Sequence, residues 1–167
     1  GKPNAIECYD MATNLDQQAV VEQQGTLLTA NVITTRATFD AVGPFDATRT
    51  TGGDVEWGNR VRSHRFPIAY AATAIVAHPA RATLTDLSAK LRRFASGRRR
   101  RHPLWMFTLH TLRLLILPSR RQLTMARHSP RLHGRWQRIK AVWGGQLARW
   151  LEAWHRIGQI WRPRRVR

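Results

Sequence analysis

The residues best suited to chemistry fall in one short stretch, Thr51-Gly52-Gly53-Asp54-Val55-Glu56-Trp57-Gly58-Asn59-Arg60. The paired glycines Gly52 and Gly53 let the backbone take positive φ and turn tightly. Asp54 follows at once, where a helix N-cap belongs, and its side chain can accept from the free backbone N–H groups there. The positive end of the helix dipole favours its ionised form. An ionised carboxylate on a glycine loop can serve as a general base. An ordinary capping aspartate has the same type and place, so the spacing leaves both roles open. Glu56 stands two residues on, and positions i and i+2 of a helix do not face each other. The two carboxylates therefore do not match the opposed pair of a glycosidase.

Several elements must position this stretch. Residues 4–23 predict a helix or helix-rich loop ended by Gly25, and the β-branched residues of 27–35 predict a strand. A short helix is expected over 36–42, stopped by Gly43-Pro44. Phe45-Asp46 and a polar loop over 47–51 then deliver the glycine pair, and a helix follows from Asp54 to about His64. Short strands are expected at 66–70 and 74–77. Leu84, Leu87, Leu91 and Phe94 recur at spacings of three and four, which predicts a helix over 83–96 with Gly97 as its stop.

Charge divides the chain near residue 86. The first part holds 9 of the 10 acids and 7 of the 28 basic residues. The remainder holds 21 basic residues and Glu152 as its one acid. Such a segment seeks phosphates, on nucleic acid or on an anionic membrane. Cys8 is the only cysteine, which excludes an internal disulfide and a zinc site of several cysteines. Four arginines, Arg98 to Arg101, open the basic segment. The apolar stretch 103–118 follows, and as a helix it reaches about 24 Å, short of the roughly 30 Å hydrocarbon core. It is expected to lie on a bilayer surface or to pack on protein.

Farther on, Trp136, Trp143, Trp150, Trp154 and Trp161 recur at seven, seven, four and seven residues, with Ile139, Leu147 and Ile157 in the same helical stripe. Tryptophan suits a lipid headgroup layer better than a tight two-stranded seam. Gly144-Gly145 is expected to weaken this helix by on the order of 1 kcal/mol per glycine.

Residues 3–97 resemble the second half of the family 2 inverting glycosyltransferases, which have the GT-A fold. The resemblance rests on an ordered set: Thr29-Ala30-Asn31-Val32 with Arg36 and Phe39, Ala41-Val42-Gly43-Pro44-Phe45-Asp46, and Gly52-Gly53-Asp54-Val55-Glu56-Trp57-Gly58. Arg60-Val61, Phe66-Pro67-Ile68, Ala71, Ala74-Ile75-Val76 and His78-Pro79 continue it. It implies an α/β fold, namely the acceptor-side half of a GT-A domain over 1–97, followed over 98–167 by a basic, Trp-rich helical tail. It also implies transfer of a sugar from a nucleotide-sugar donor to a sugar or lipid-linked acceptor.

By resemblance Asp54 is the catalytic base. Gly52, Gly53, Glu56, Asn31 and Arg60 would shape the acceptor site, and Trp57 would offer a flat platform or else a core side chain. His78 falls where some members hold a metal, and Arg93 where processive members contact the diphosphate. Of the processive Gln-x-x-Arg-Trp motif, however, only Arg93 and the aromatic Phe94 correspond. The family's divalent metal, Mg or Mn, is expected for the complete enzyme, but no Asp-x-Asp motif occurs in the chain. The nucleotide-binding half is therefore expected to precede Gly1, and the chain alone is expected neither to hold the metal nor to transfer sugar. The expected location is cytoplasmic, peripheral on the inner membrane face. Two other classes remain: a nucleic-acid-binding protein using the basic tail, although no named nucleic-acid motif appears, and a membrane anchor or scaffold without catalysis.

Overall fold

The computed structural model describes residues 2–13, 16–101, 103–115 and 118–160. Its contacts divide the chain into two units: Leu15–His78, and Gly1–Asn14 with Pro79–Arg167. The break is topological, not compositional. The expected boundary at residue 97 lies inside a continuous helix, and the helix Ala5–Thr13 belongs with the second half of the chain.

Among the described residues every regular element is a helix, which overturns the α/β, GT-A expectation. The segments expected as strands show why. Leu28 (φ −118°, ψ 131°) and Val32 (φ −132°, ψ 132°) do have extended backbone, flanking a 3-10 turn at Thr29–Asn31. A strand, however, also needs a neighbouring strand to take its N–H and C=O groups. Here side chains take them. Leu28 N–H donates to Gln17 Oε1 at 3.1 Å, and Gln17 Nε2 donates to the carbonyls of Leu28 and Asn31. Over 66–77 the bonds are those of turns: Phe66 N–H to the Val61 carbonyl, Ala74 N–H to Ala71, and Ile75 N–H to Thr73.

The Leu15–His78 unit contains α2 (Gln17–Gln24), α3 (Arg36–Val42) and α4 (Gly53–Ser63). Capping side chains mark the starts of α2 and α3. Asp16 accepts from Ala19 N–H ahead of α2, and Thr35 accepts from Thr38 N–H ahead of α3. Leu27, Val42, Trp57 and Val61 form the core, with Val32, Phe39, Phe66 and Ile68 packed around it.

In the other unit, α8 (Arg135–Ile160) is the hub on which α1 (Ala5–Thr13), α5 (Leu84–Arg101), α6 (Leu104–Leu115) and α7 (Arg120–His128) all pack. Ile6, Leu87, Leu91 and Ala148 form one cluster, and Cys8, Ala126, Leu132 and Ala141 another. Gly97 does not stop α5, because it is buried and stays helical to Arg101. Gly144 and Gly145 are contact points: a Cβ on Gly144 would lie 2.0 Å from the Ala5 carbonyl oxygen, and one on Gly145 would lie 2.4 Å from Gln122 Nε2. Their lack of a side chain brings α1 and α7 close to α8.

Asp10, on α1, is buried and receives the Arg81 N–H at 3.1 Å, the Arg81 guanidinium and Lys90 Nζ at 2.9 Å. Burial by itself raises the Asp10 carboxyl, but these bonds and charges outweigh it and hold the group below its ordinary value. Burial also pushes Lys90 down, and its bond to Asp10 only partly restores it. The carboxylate gains more than the ammonium because Arg81 contributes as well, so the cluster stands as an ionised carboxylate between two cations. Asn4 caps α1 in a reciprocal box: its Oδ1 accepts from Ile6 and Glu7 N–H, and Glu7 accepts from Asn4 N–H.

Candidate functional site around the start of helix α4

Gly52 ends the connection from α3 with φ 70°, a left-handed conformation that favours glycine, and α4 begins at the next residue. Asp54, expected as the cap, therefore lies inside the first turn, two places past the actual cap, Gly52. It is half-buried, and its Oδ1 accepts from the N–H of Val55 at 2.9 Å. Among the described residues no ion pair engages it. A carboxylate there sits at the positive end of the helix dipole.

Glu56, in the same turn, is instead tied to Arg60 Nε at 2.8 Å. The same guanidinium donates to the carbonyls of Val42 at 2.6 Å and Pro44 at 2.7 Å. One side chain thus satisfies the end of α3 and the turn that follows, while Glu56 balances its charge. Trp57 closes the clamp. It is 2% exposed, and its Nε1–H donates to the Gly43 carbonyl at 2.8 Å. Its ring lies 5.1 Å from Phe45 and 5.9 Å from Phe39 by centroids. The Val42-Gly43-Pro44-Phe45 turn is thereby pinned to α4. The ring faces the core, and the structure gives Trp57 the core role of the two expected for it.

Gly58 serves the same packing. A Cβ there would meet Thr26 Oγ1 at 2.3 Å and the Leu27 backbone nitrogen at 3.0 Å, so α4 rests directly on the Thr26-Leu27 backbone. Asp46, half-exposed at the turn's far end, accepts from Thr48 N–H and Oγ1, which together with Arg49 hold its carboxyl below the ordinary value.

The remaining residues picked out from the sequence do not gather at this helix start. Asn31 donates from Nδ2 to the Ala74 carbonyl at 2.6 Å, joining the 3-10 turn to the 71–74 turn. His78 is exposed at the end of this unit. Arg93 lies on α5 in the other unit, its guanidinium 5.7 Å from the Phe94 ring. Among the described residues no three His, Cys, Asp or Glu side chains converge as metal ligands would. Neither Asp54 nor His78 belongs to such a group.

Comparison with known proteins adds one relation. Over 77 residues the chain is 31% identical to Glycosyltransferase AglE of Haloferax volcanii. The match takes in 46% of this chain and 25% of that protein, so the chain spans well under two thirds of its relative. No family model and no solved structure matches. The relation is to a glycosyltransferase in that general sense and shows neither family nor fold.

The clamp was not foreseen. Its signal was present in the i, i+4 spacing of Glu56 and Arg60, which favours an ion pair on a helix. Nothing local announced that Arg60 would reach back to the carbonyls of residues 42 and 44.

Proposed function

We propose that this chain is the acceptor-side part of a glycosyltransferase that uses a nucleotide-sugar donor, with Asp54 as the general base. The likeness to a glycosyltransferase over 77 residues carries the reading. The setting of Asp54 supports its role: a carboxylate on a glycine turn, partly open to solvent, with no ion pair to a described residue. In the proposed step the Asp54 carboxylate takes the proton of the acceptor hydroxyl. The acceptor oxygen bonds to the anomeric carbon as the bond from that carbon to the nucleoside diphosphate breaks, with inversion. A base acting this way contributes about 10²–10⁴-fold.

Arg60, Glu56 and Trp57 are positioning residues in this reading. They fix the 42–45 turn against α4 and so fix where Asp54 points. Gly52 and Gly53 let an acceptor approach the backbone. Asn31 would hold the neighbouring turn, and the donor and its metal would be bound by residues outside this set.

The test is transfer of labelled sugar from a panel of nucleotide sugars, with Mg or Mn, to sugar and lipid-linked acceptors. The chain is assayed alone and as part of the polypeptide encoded by its full reading frame. Transfer by the full polypeptide and none by the chain alone is expected. Transfer by the chain alone overturns the placement of the donor site elsewhere, and no transfer by either overturns the assignment.

A further inference from the structure

Four indoles stand out along the free face of α8. Trp136 is 66% exposed, Trp143 66%, Trp150 49% and Trp154 72%. They follow one stripe, and the 18 residue steps from Trp136 to Trp154 span about 27 Å of helix. The other sides of α8 are occupied by α1, α5, α6 and α7, so this face is what the bundle leaves outward. A row of large apolar rings in water is costly unless something covers it.

Charge identifies what covers it. Glu152, the one acid after residue 86, is bonded by Arg98 and Arg156, and Asp10 in the same unit is bonded by Arg81 and Lys90. These acids are neutralised internally, while Arg135, Arg138 and most of the basic residues of α6 and α7 remain exposed. The Arg135 guanidinium sits 5.6 Å from the Trp136 ring, joining a phosphate-seeking group to an indole. Among the described residues no helix is long and apolar enough to cross a membrane. A cationic helix with one aromatic side lies in a bilayer interface plane.

We propose that α8 docks this protein on an anionic lipid bilayer, its axis along the surface and the Trp136–Trp154 stripe seated among the headgroups. A nucleic-acid strand fits this face less well. Indoles seven residues apart are about 10 Å apart along the axis, roughly three times the 3.4 Å base spacing of a strand. The proposal stands apart from the transferase reading, and each can fail without the other.

The test uses the full chain with vesicles of phosphatidylcholine alone and of phosphatidylcholine with one quarter phosphatidylglycerol. Expected are at least tenfold tighter binding to the anionic vesicles, a blue shift of tryptophan emission and quenching by lipids brominated on the upper acyl chain. Trp143→Ala with Trp154→Ala, both at exposed positions, is expected to weaken binding at least tenfold with helix content retained. The quenching result on the unsubstituted chain stands whether or not that variant folds. Equal binding to neutral vesicles, no quenching, retention on single-stranded nucleic acid without vesicle binding, or a solution dimer that shields the indoles without vesicle binding each overturns the proposal.

Discussion

Replacing Gly144 by alanine tests the packing of the helical unit, because two effects of known sign oppose each other. Propensity alone favours the change: alanine in a helix interior is better than glycine by about 1 kcal/mol. The structure opposes it. The new Cβ would lie 2.0 Å from the Ala5 carbonyl oxygen, 2.7 Å from the Ala5 carbonyl carbon and 3.0 Å from Tyr9 Cβ. Two of those three atoms are backbone, so no rotamer change relieves the contact. Helix α1 would have to withdraw by roughly 1 Å, and overpacking of this kind costs about 1–3 kcal/mol. The withdrawal also loosens the Ile6 cluster and stretches the bonds of Asp10 to Arg81 and Lys90, because Ile6 and Asp10 both lie on α1. Clash and lost contacts together exceed the propensity gain, and Gly144→Ala is expected to destabilise by about 1–2 kcal/mol. Gly158 in the same helix is the control, since a Cβ there meets nothing within 4 Å. Gly158→Ala is expected to stabilise by up to about 1 kcal/mol. Urea unfolding midpoints of the two variants and the parent decide the matter. Equal stabilisation by both substitutions would refute the close approach of α1 to α8.

Further consequences follow from particular side chains. Asp10→Asn removes the buried carboxylate from between Arg81 and Lys90 and is expected to cost about 3–5 kcal/mol in urea unfolding. Because the native Asp10 carboxyl is held below its ordinary value, its contribution is full above that value. It is lost as pH falls through the lower native one, so parent and variant stabilities should converge in strong acid. Arg65, with φ 62°, occupies the left-handed position after α4 where glycine is usual, and Arg65→Gly is expected to raise the melting temperature by a few degrees, about 1 kcal/mol. A lower melting temperature for that variant would show that the Arg65 side chain matters more than its backbone strain.

The sequence made legible those elements whose determinants are local. Helix α3 begins and ends where Thr35 and Gly43-Pro44 place it, and α4 starts within a residue of expectation because Gly52 both turns the chain and caps it. The strands were misjudged because β-branched content reports a backbone preference, not a partner. Residues 27–35 are partly extended, yet Gln17 supplies the bonds that a neighbouring strand would make. Gly97 looked like a helix stop, but burial against its neighbours keeps it helical, and Gly144-Gly145 looked like weak points because their partners are distant in sequence. At the candidate site, the carboxylate and its glycine turn could be read from spacing. The burial of Trp57 and the reach of Arg60 to the Val42 and Pro44 carbonyls depend on how α3 returns against α4, which no local pattern encodes. The Trp stripe was legible as a helical face; Trp161 lies outside the described residues.

The central claim concerns one carboxylate, and the most direct measurement is sugar transfer, in the assay proposed above, by a polypeptide that contains this chain, with Asp54 intact and as Asp54→Asn. The amide keeps the shape of the side chain and can still accept from Val55 N–H, so the circular dichroism spectrum should be unchanged. The account predicts that kcat falls by about 10²-fold or more while KM for the donor stays the same. Turnover by Asp54→Asn close to that of the parent would contradict it.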